Sequence, residues 1–319
     1  MEVLKVLKGG SLSKTEIVLD EGKKIVRKSI SRADNREYGL VRWQSQIRKL
    51  QTLNRYIPDS SVIIERMGVN ERFYYYDMPY YENAVNCAEL LMGGGAPDLI
   101  VDQISQLLSK MAAVNYSSAR GSLSVYVSEE IESPLRTALK TAEENLLPLS
   151  KSEQEFFLDA IHRALILIKK LIKEIKKYQV QETLNHGNLT LENILWSQDS
   201  QRILMIDPYS ETYCDNIMGD VSQLLQSTDS GYEYISTLFQ TEKIDIKNYP
   251  SEKIPSTFLE FSIKLKKNLA KEPWYSTEHL MLLHASQFTR MFPFKLVTAP
   301  MHGVSFMLHG IDILEKIKC

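Results

Sequence analysis

The sequence predicts an α+β protein: a small antiparallel sheet interrupted by one helix, then a mainly helical remainder. Three observations predict it. Residues 1 to 82 carry short runs that alternate apolar and polar side chains between turn-forming pairs. One stretch among them has its apolar residues at helical spacing instead. After Pro79 the apolar period lengthens to about 3.6 residues and stays there. A chain of 319 residues is longer than one ordinary core, and the change of period places the division. A sheet-bearing region is expected at 1–82, ending in a hinge, and a helical region at 83–319.

In chain order, strands are expected at Val3–Leu7, Glu16–Leu19, Lys24–Ser29, Val62–Met67 and Arg72–Met78, with turns at Gly9-Gly10, Glu21-Gly22 and Val69-Asn70. Between Asn35 and Leu53, the spacing of Leu40, Val41, Ile47 and Leu50 predicts the helix. The second half then predicts helices at Leu99–Met111, Glu130–Leu147, Glu153–Tyr178, Phe258–Leu269, His279–Met291 and Val304–Ile317. Its sole β-like exception is a short hairpin, Asn193–Trp196 and Arg202–Ile206, around the polar turn 197–201.

Composition excludes several functions. With 38 basic and 40 acidic residues the net charge is −2, so no global basic field attracts nucleic acid, and none is expected as a partner. Cys87, Cys214 and Cys319 are widely spaced and form no CxxC pair, which argues against a disulfide framework or a cysteine-bound zinc and for a reducing, cytoplasmic setting. The charged segment Met1–Lys8 reads as a strand rather than a signal peptide. Phe156–Ile175, the longest apolar-rich stretch, is broken by Asp159, His162, Arg163, Lys169 and Lys170, so no membrane span is expected.

The chemistry is concentrated in Leu184-Asn-His-Gly-Asn-Leu-Thr-Leu-Glu-Asn-Ile-Leu-Trp and the following Ile203-Leu-Met-Ile-Asp-Pro. His186 and Asn193 close an H-x-x-x-x-x-x-N spacing at the mouth of the hairpin, and Asp207 ends its second strand. Such a hairpin brings an amide oxygen and a carboxylate together. Magnesium takes hard oxygen ligands, typically one or two from the protein plus substrate phosphates, and Asn193 and Asp207 meet that requirement.

This segment resembles the loop H-G-D-x-x-x-x-N-I-L followed by I-D-P or I-D-F in the aminoglycoside phosphotransferase and choline kinase branch of the protein-kinase-like superfamily, with matching spacing over residues 184–208. Downstream, Met218-Gly-Asp-Val-Ser-Gln-Leu-Leu-Gln-Ser is similar to that branch's G-D-x-x-x-D-L-x-x-L helix start, without its second aspartate. The resemblance implies a protein-kinase-like bilobal fold: a nucleotide-binding N-terminal lobe and a helical C-terminal lobe holding the catalytic hairpin and the acceptor site. It also implies ATP or GTP as phosphate donor, one or two magnesium ions on Asn193 and Asp207, and a small-molecule acceptor.

Carried over by position, the resemblance implies that Lys28, near the end of the third strand, meets the phosphates, while Arg27 points to the other face. Gly9, Gly10 and Ser11 lie in a turn whose N–H groups would cover the phosphates, although a plain hairpin turn accounts for them equally. The helix partner of Lys28 stays open: Glu37 has the charge, whereas Gln44 and Gln46 lie nearer the middle of the helix. The backbone from Met78 to Tyr81, including Tyr80, takes the place of a hinge that bonds a purine edge. His186 braces the loop.

Asn188 departs from the resemblance, because it stands where that branch has its catalytic aspartate. An amide holds a hydroxyl but cannot take its proton. General-base assistance contributes roughly 10²–10⁴-fold, while most of phosphoryl transfer rests on positioning and electrostatics. Two readings follow: an enzyme deliberately inactivated by an engineered Asp→Asn exchange, which the retained metal ligands favour, or a natural pseudokinase that binds nucleotide and serves as an interaction module. For the acceptor, Arg290, Lys295 and Lys316 beside few acids such as Asp312 and Glu315 favour a neutral or anionic compound, such as a sugar or glycan building block.

Overall fold

The computed structural model describes residues 1–7, 13–33, 36–95, 97–114, 120–175, 179–209, 213, 215–241 and 245–317, with the backbone alone at 36–38, 97, 120–122, 175, 179 and 241. By contact the chain divides into two units. One comprises Met1–Cys87, His186–Asn188 and Asn193–Thr212; the other comprises Ala88–Asn185, Leu189–Glu192 and Tyr213–Cys319. Among the described residues, no helix is long and apolar enough to cross a membrane.

In the first unit, strands β1 (Glu2–Leu7), β2 (Ser13–Asp20), β3 (Lys23–Ser31), β4 (Arg66–Val69) and β5 (Phe73–Pro79) form an antiparallel sheet in the order β1-β2-β3-β5-β4, and α1 (Arg36–Tyr56) connects β3 towards β4. Glu21 and Gly22 both have positive φ, 49° and 82°, as a tight two-residue hairpin turn requires. The Asn70 side chain accepts the N–H groups of Arg72 (2.9 Å) and Phe73 (2.8 Å), which closes the turn before β5. The expected strand at Val62–Met67 pairs only from Arg66 onward. Upstream, Val62 is buried and Ile64 packs on the same core, so the apolar alternation there reflects burial rather than a ladder.

Strands β6 (Ala84–Asn86), β7 (Arg120–Ser122), β8 (Gln179–Gln181), β9 (Ile194–Ser197) and β10 (Arg202–Met205) complete the β structure. The hairpin β9–β10 gains β6 as a third strand, and β7 pairs with β8, so the hairpin is not the sole β element after Pro79. Strands of three residues are too short to show alternation. Register across β3 and β5 sets Val26 opposite Met78 and Lys28 opposite Tyr76 on one face, with Arg27 opposite Asp77 on the other. The first face carries a core of Ile47, Leu50, Val62, Tyr76, Met78 and Leu204. On the second, buried Asp77 accepts from Arg27 at 2.7 and 2.8 Å and from Arg66 at 2.8 Å.

The second unit holds α2 (Cys87–Met92), α3 (Pro97–Ala112), α4 (Leu123–Val127), α5 (Ser133–Glu143), α6 (Lys151–Ile175), α7 (Ile217–Thr228), α8 (Tyr232–Thr241), α9 (Ser256–Leu269), α10 (Thr277–Thr289), α11 (Phe292–Thr298) and α12 (Pro300–Glu315). The expected helix at Glu130–Leu147 is a π turn at Ser128–Glu132 running into α5. The described residues of α7 are buried on nearly every side. Helices α10 and α12 approach closely at Gly310, where a Cβ would lie 3.1 Å from the Ala285 carbonyl oxygen.

A polar knot lies within this helical unit. Ser230 Oγ lies 3.1 Å from His284 Nε2 and 2.8 Å from His309 Nε2, and Tyr249 stacks on His309 with ring centroids 3.7 Å apart. Burial lowers the pKa of both histidines. For His284 it falls to about 4, with Asp229 opposing and Lys266 and Lys316 adding; for His309 the charges of His284 and Lys316 add to burial.

Two stability predictions follow from these contacts. Asp77→Ala strands the largely buried Arg27 and should lower the unfolding free energy by about 3 kcal/mol, measured by urea denaturation; a loss below about 1 kcal/mol would assign the cluster the weight of a surface pair. For the histidines, an unfolded chain takes up protons near pH 6.5 while the folded one resists, at His284 down to about pH 4 and at His309 likewise well below the ordinary range. Stability should therefore fall as pH drops through that window, by about 1.4 kcal/mol per pH unit for each such histidine. His309→Leu should flatten the dependence by about one proton, and an unaltered slope would show that His309 is not held neutral.

Candidate active site

Within the first unit, five polar side chains from three separate stretches of sequence converge. Lys28, on the α1-facing side of β3 and 3% exposed, donates to Asp207 Oδ1. Gln46, 1% exposed on α1, donates from Nε2 to the same oxygen at 2.9 Å and reaches the Pro208 carbonyl at 3.4 Å. Burial lowers the Lys28 pKa, Asp207 opposes that shift and the Arg42 charge adds to it. Burial, helped by the Asp207 charge, raises the phenol of Tyr76, whose hydroxyl lies 3.5 Å from Gln46 Oε1.

Asp207 has φ +55°, a left-handed conformation that side-chain-bearing residues seldom adopt. Two backbone bonds hold it there: Ile206 N–H to the Asn193 carbonyl at 3.0 Å and Tyr209 N–H to the His186 carbonyl at 3.0 Å. The Asn188 side-chain amide donates to the Asp207 carbonyl at 3.2 Å, and the Asn193 amide donates to the Asn188 carbonyl at 2.9 Å. Gly187 supplies a positive φ of 79° before Asn188. His186 is fully buried, and burial pushes its pKa down to about 3, with Lys49 adding and Asp207 and the backbone of Asn188 and Ile206 opposing. A ring held neutral in this way carries no charge at neutral pH.

The donor set fits a magnesium ion that arrives with phosphates. Lys28 and Gln46 both use Asp207 Oδ1, and Oδ2 accepts no hydrogen bond among the described residues. The Asn193 amide turns its nitrogen to the Asn188 carbonyl, and its oxygen is the hard atom of the pair that suits such an ion. No group of three or more His, Cys, Asp or Glu gathers among the described residues, so an ion held by protein ligands alone does not fit.

Of the three candidate helix partners for Lys28, Gln46 faces the site and Gln44 is exposed. The Glu37 side chain lies outside the described residues, as do Gly9, Gly10 and Ser11. Met78 is buried in the core cluster, and β4 pairing along β5 stops at Asp77, so the strand end beyond it has no partner on that edge among the described residues. Tyr80 is half-exposed, its ring 5.6 Å from Lys24 Nζ.

In the helical unit, α7 binds the intervening loop residues. Leu189 N–H donates to Gln223 Oε1 at 2.6 Å, Leu191 N–H to Ser227 Oγ at 3.0 Å, and Ser227 in turn to Glu233 Oε1 at 2.6 Å. Burial raises the Glu233 pKa to about 7, against the donation from Ser227 and with the Glu192 charge adding. Gln223 and Ser227, four residues apart, lie one turn apart on the same side of α7. Neither was legible as functional in the sequence, since a glutamine and a serine in a buried helix carry no spacing signal.

No protein-family model and no curated protein sequence matches the chain. Solved structures do. A candidate fructosamine-3-kinase from Haemophilus somnus 129PT superposes with a TM-score of 0.58 at 13% identity, covering 97% of this chain and 90% of that one. A glucosamine kinase gives 0.53 at 12% identity over 98% and 92% of the two chains. A point mutant of aminoglycoside 2'-phosphotransferase-IIIa in complex with GDP gives 0.53 at 11% identity over 99% and 92%. At such identities the likeness is one of fold, and it runs the length of the chain. With a five-stranded antiparallel sheet, one helix after its third strand and a helical second half, the chain has the protein-kinase-like fold.

Proposed function

We propose that the chain is a nucleotide-dependent phosphotransferase of the small-molecule kinase type, using ATP or GTP with magnesium and a sugar or amino-sugar hydroxyl as acceptor. The observation that carries this reading is the constellation in which Lys28, Gln46, Asn188 and Asn193 are bound to, or through the loop to, Asp207. In this reading Lys28 binds phosphate oxygens, Asn193 and Asp207 hold the metal, and Asn188 orients the acceptor hydroxyl. The partly buried apolar groups Val26, Tyr81, Leu195 and Ile206, packed on the core beside Met78, offer an apolar face to a purine, and the end of β5 offers backbone to its edge. Magnesium, when bound, draws charge from the phosphates. The structural neighbours are a candidate fructosamine-3-kinase, a glucosamine kinase and an aminoglycoside phosphotransferase, which supports the acceptor class.

A second reading, a nucleotide-binding pseudokinase that acts as an interaction module, is favoured by the hydrogen bonding of Asn188. Its amide donates to the Asp207 carbonyl at 3.2 Å, a bond that an ionised carboxylate cannot make. An aspartate here would set its charge against that carbonyl in the same rotamer. The two readings differ in whether phosphate is transferred, not in whether nucleotide binds.

Two experiments test these assignments. Asp207→Ala should abolish most of the magnesium-dependent part of nucleotide binding by calorimetry, and a variant that binds MgATP like its parent would reduce Asp207 to a hairpin residue. Asn188→Asp should raise phosphate transfer to a panel of sugars and amino sugars by roughly two to four powers of ten, read with radiolabelled nucleotide. If the Asp form binds MgATP yet labels no acceptor, the interaction-module reading replaces the enzymatic one.

A further inference from the structure

Helix α1 presents residues 42, 46 and 49 on one side, at the spacing of successive turns. Gln46 is fixed against Asp207. One turn before it, the Arg42 guanidinium lies 5.5 Å from the ring centre of Tyr209, two residues beyond Asp207. One turn after it, Lys49 is buried, and its charge is felt at His186. The Arg42 charge likewise reaches Lys28 and Tyr76. The helix therefore brings Arg42 and Gln46 towards Lys28 and Lys49 towards His186, and contributes no carboxylate from these three positions.

We propose that Arg42 is a phosphate-binding residue which, with Lys28, forms a two-cation clamp on the phosphate chain of the nucleotide. The inference rests on the nucleotide reading above and extends it to a residue outside the hairpin. A triphosphate carries more negative charge than one divalent ion cancels. The metal ligand set here is one carboxylate and one amide, enough for a single ion, so the remaining charge falls to side-chain cations. A guanidinium presents several donors in a fixed plane that matches phosphate oxygens. Stacking on Tyr209 restricts Arg42, so that less freedom is lost when it binds. Part of the phosphate affinity then persists without magnesium.

The test compares the parent, Arg42→Gln and Arg42→Lys by calorimetry with ATP, adenosine and inorganic tripolyphosphate, in EDTA and in excess magnesium, with melting temperatures to certify folding. The parent is expected to bind ATP and tripolyphosphate in EDTA. Arg42→Gln should weaken both by about tenfold or more, less so with magnesium, and leave adenosine unchanged; Arg42→Lys should retain part of the affinity. Equal binding of tripolyphosphate by parent and Arg42→Gln would overturn the clamp, as would a loss shared equally by adenosine, which marks Arg42 as a structural cap on Tyr209. If Arg42→Gln fails to fold, Arg42→Lys decides: unchanged affinity for both phosphate ligands at a lowered melting temperature overturns the proposal. Tripolyphosphate binding that depends on Arg42, without binding of ATP or adenosine, would support the clamp and overturn the nucleotide reading alone.

Discussion

The first unit depends on the carboxylate of Asp207. It is the group on which β3, through Lys28, and α1, through Gln46, converge, and its backbone is held left-handed at a cost of roughly 1–2 kcal/mol. That cost is offset by the backbone bonds on either side, from Ile206 to Asn193 and from Tyr209 to His186, which fix the loop and the hairpin against each other. Strain maintained in this way occurs where function requires a particular side-chain direction. Here it leaves Oδ2 without a hydrogen-bond partner among the described residues, in a side chain that is one-third exposed.

Amides gather on this aspartate: Gln46 donates to its Oδ1 and the Asn188 side chain donates to its backbone carbonyl. In the helical unit, Gln223 likewise receives loop backbone, from Leu189. Each amide both gives and receives hydrogen bonds and adds no charge to be desolvated, so the geometry is kept without the burial penalty of further carboxylates. An amide at residue 188 cannot accept a proton, and none of these side chains adds negative charge beside the cations.

The strands of the first sheet were legible because one of their faces is buried, which imposes alternation on the sequence; β4 was displaced because buried Val62 and Ile64 imitate it. Strands β6, β7 and β8 are too short to leave a period to read. At the candidate site, the spacing of His186, Asn188, Asn193 and Asp207 was visible because one loop and one hairpin carry all four. The residue of α1 that meets them was not, because the choice among Glu37, Gln44 and Gln46 depends on how the helix is rotated against β3, which only packing decides. Arg42 was missed for a related reason: an arginine on an amphipathic helix ordinarily reads as part of its solvated face.

We propose that a single carboxylate, Asp207, anchors the metal while side-chain cations carry the rest of the phosphate charge. Manganese, standing in for magnesium, can be counted per bound nucleotide by electron paramagnetic resonance titration. One ion per bound nucleotide is expected, lost in Asp207→Ala. Two ions of comparable affinity, or one that survives removal of the Asp207 carboxylate, would overturn the assignment.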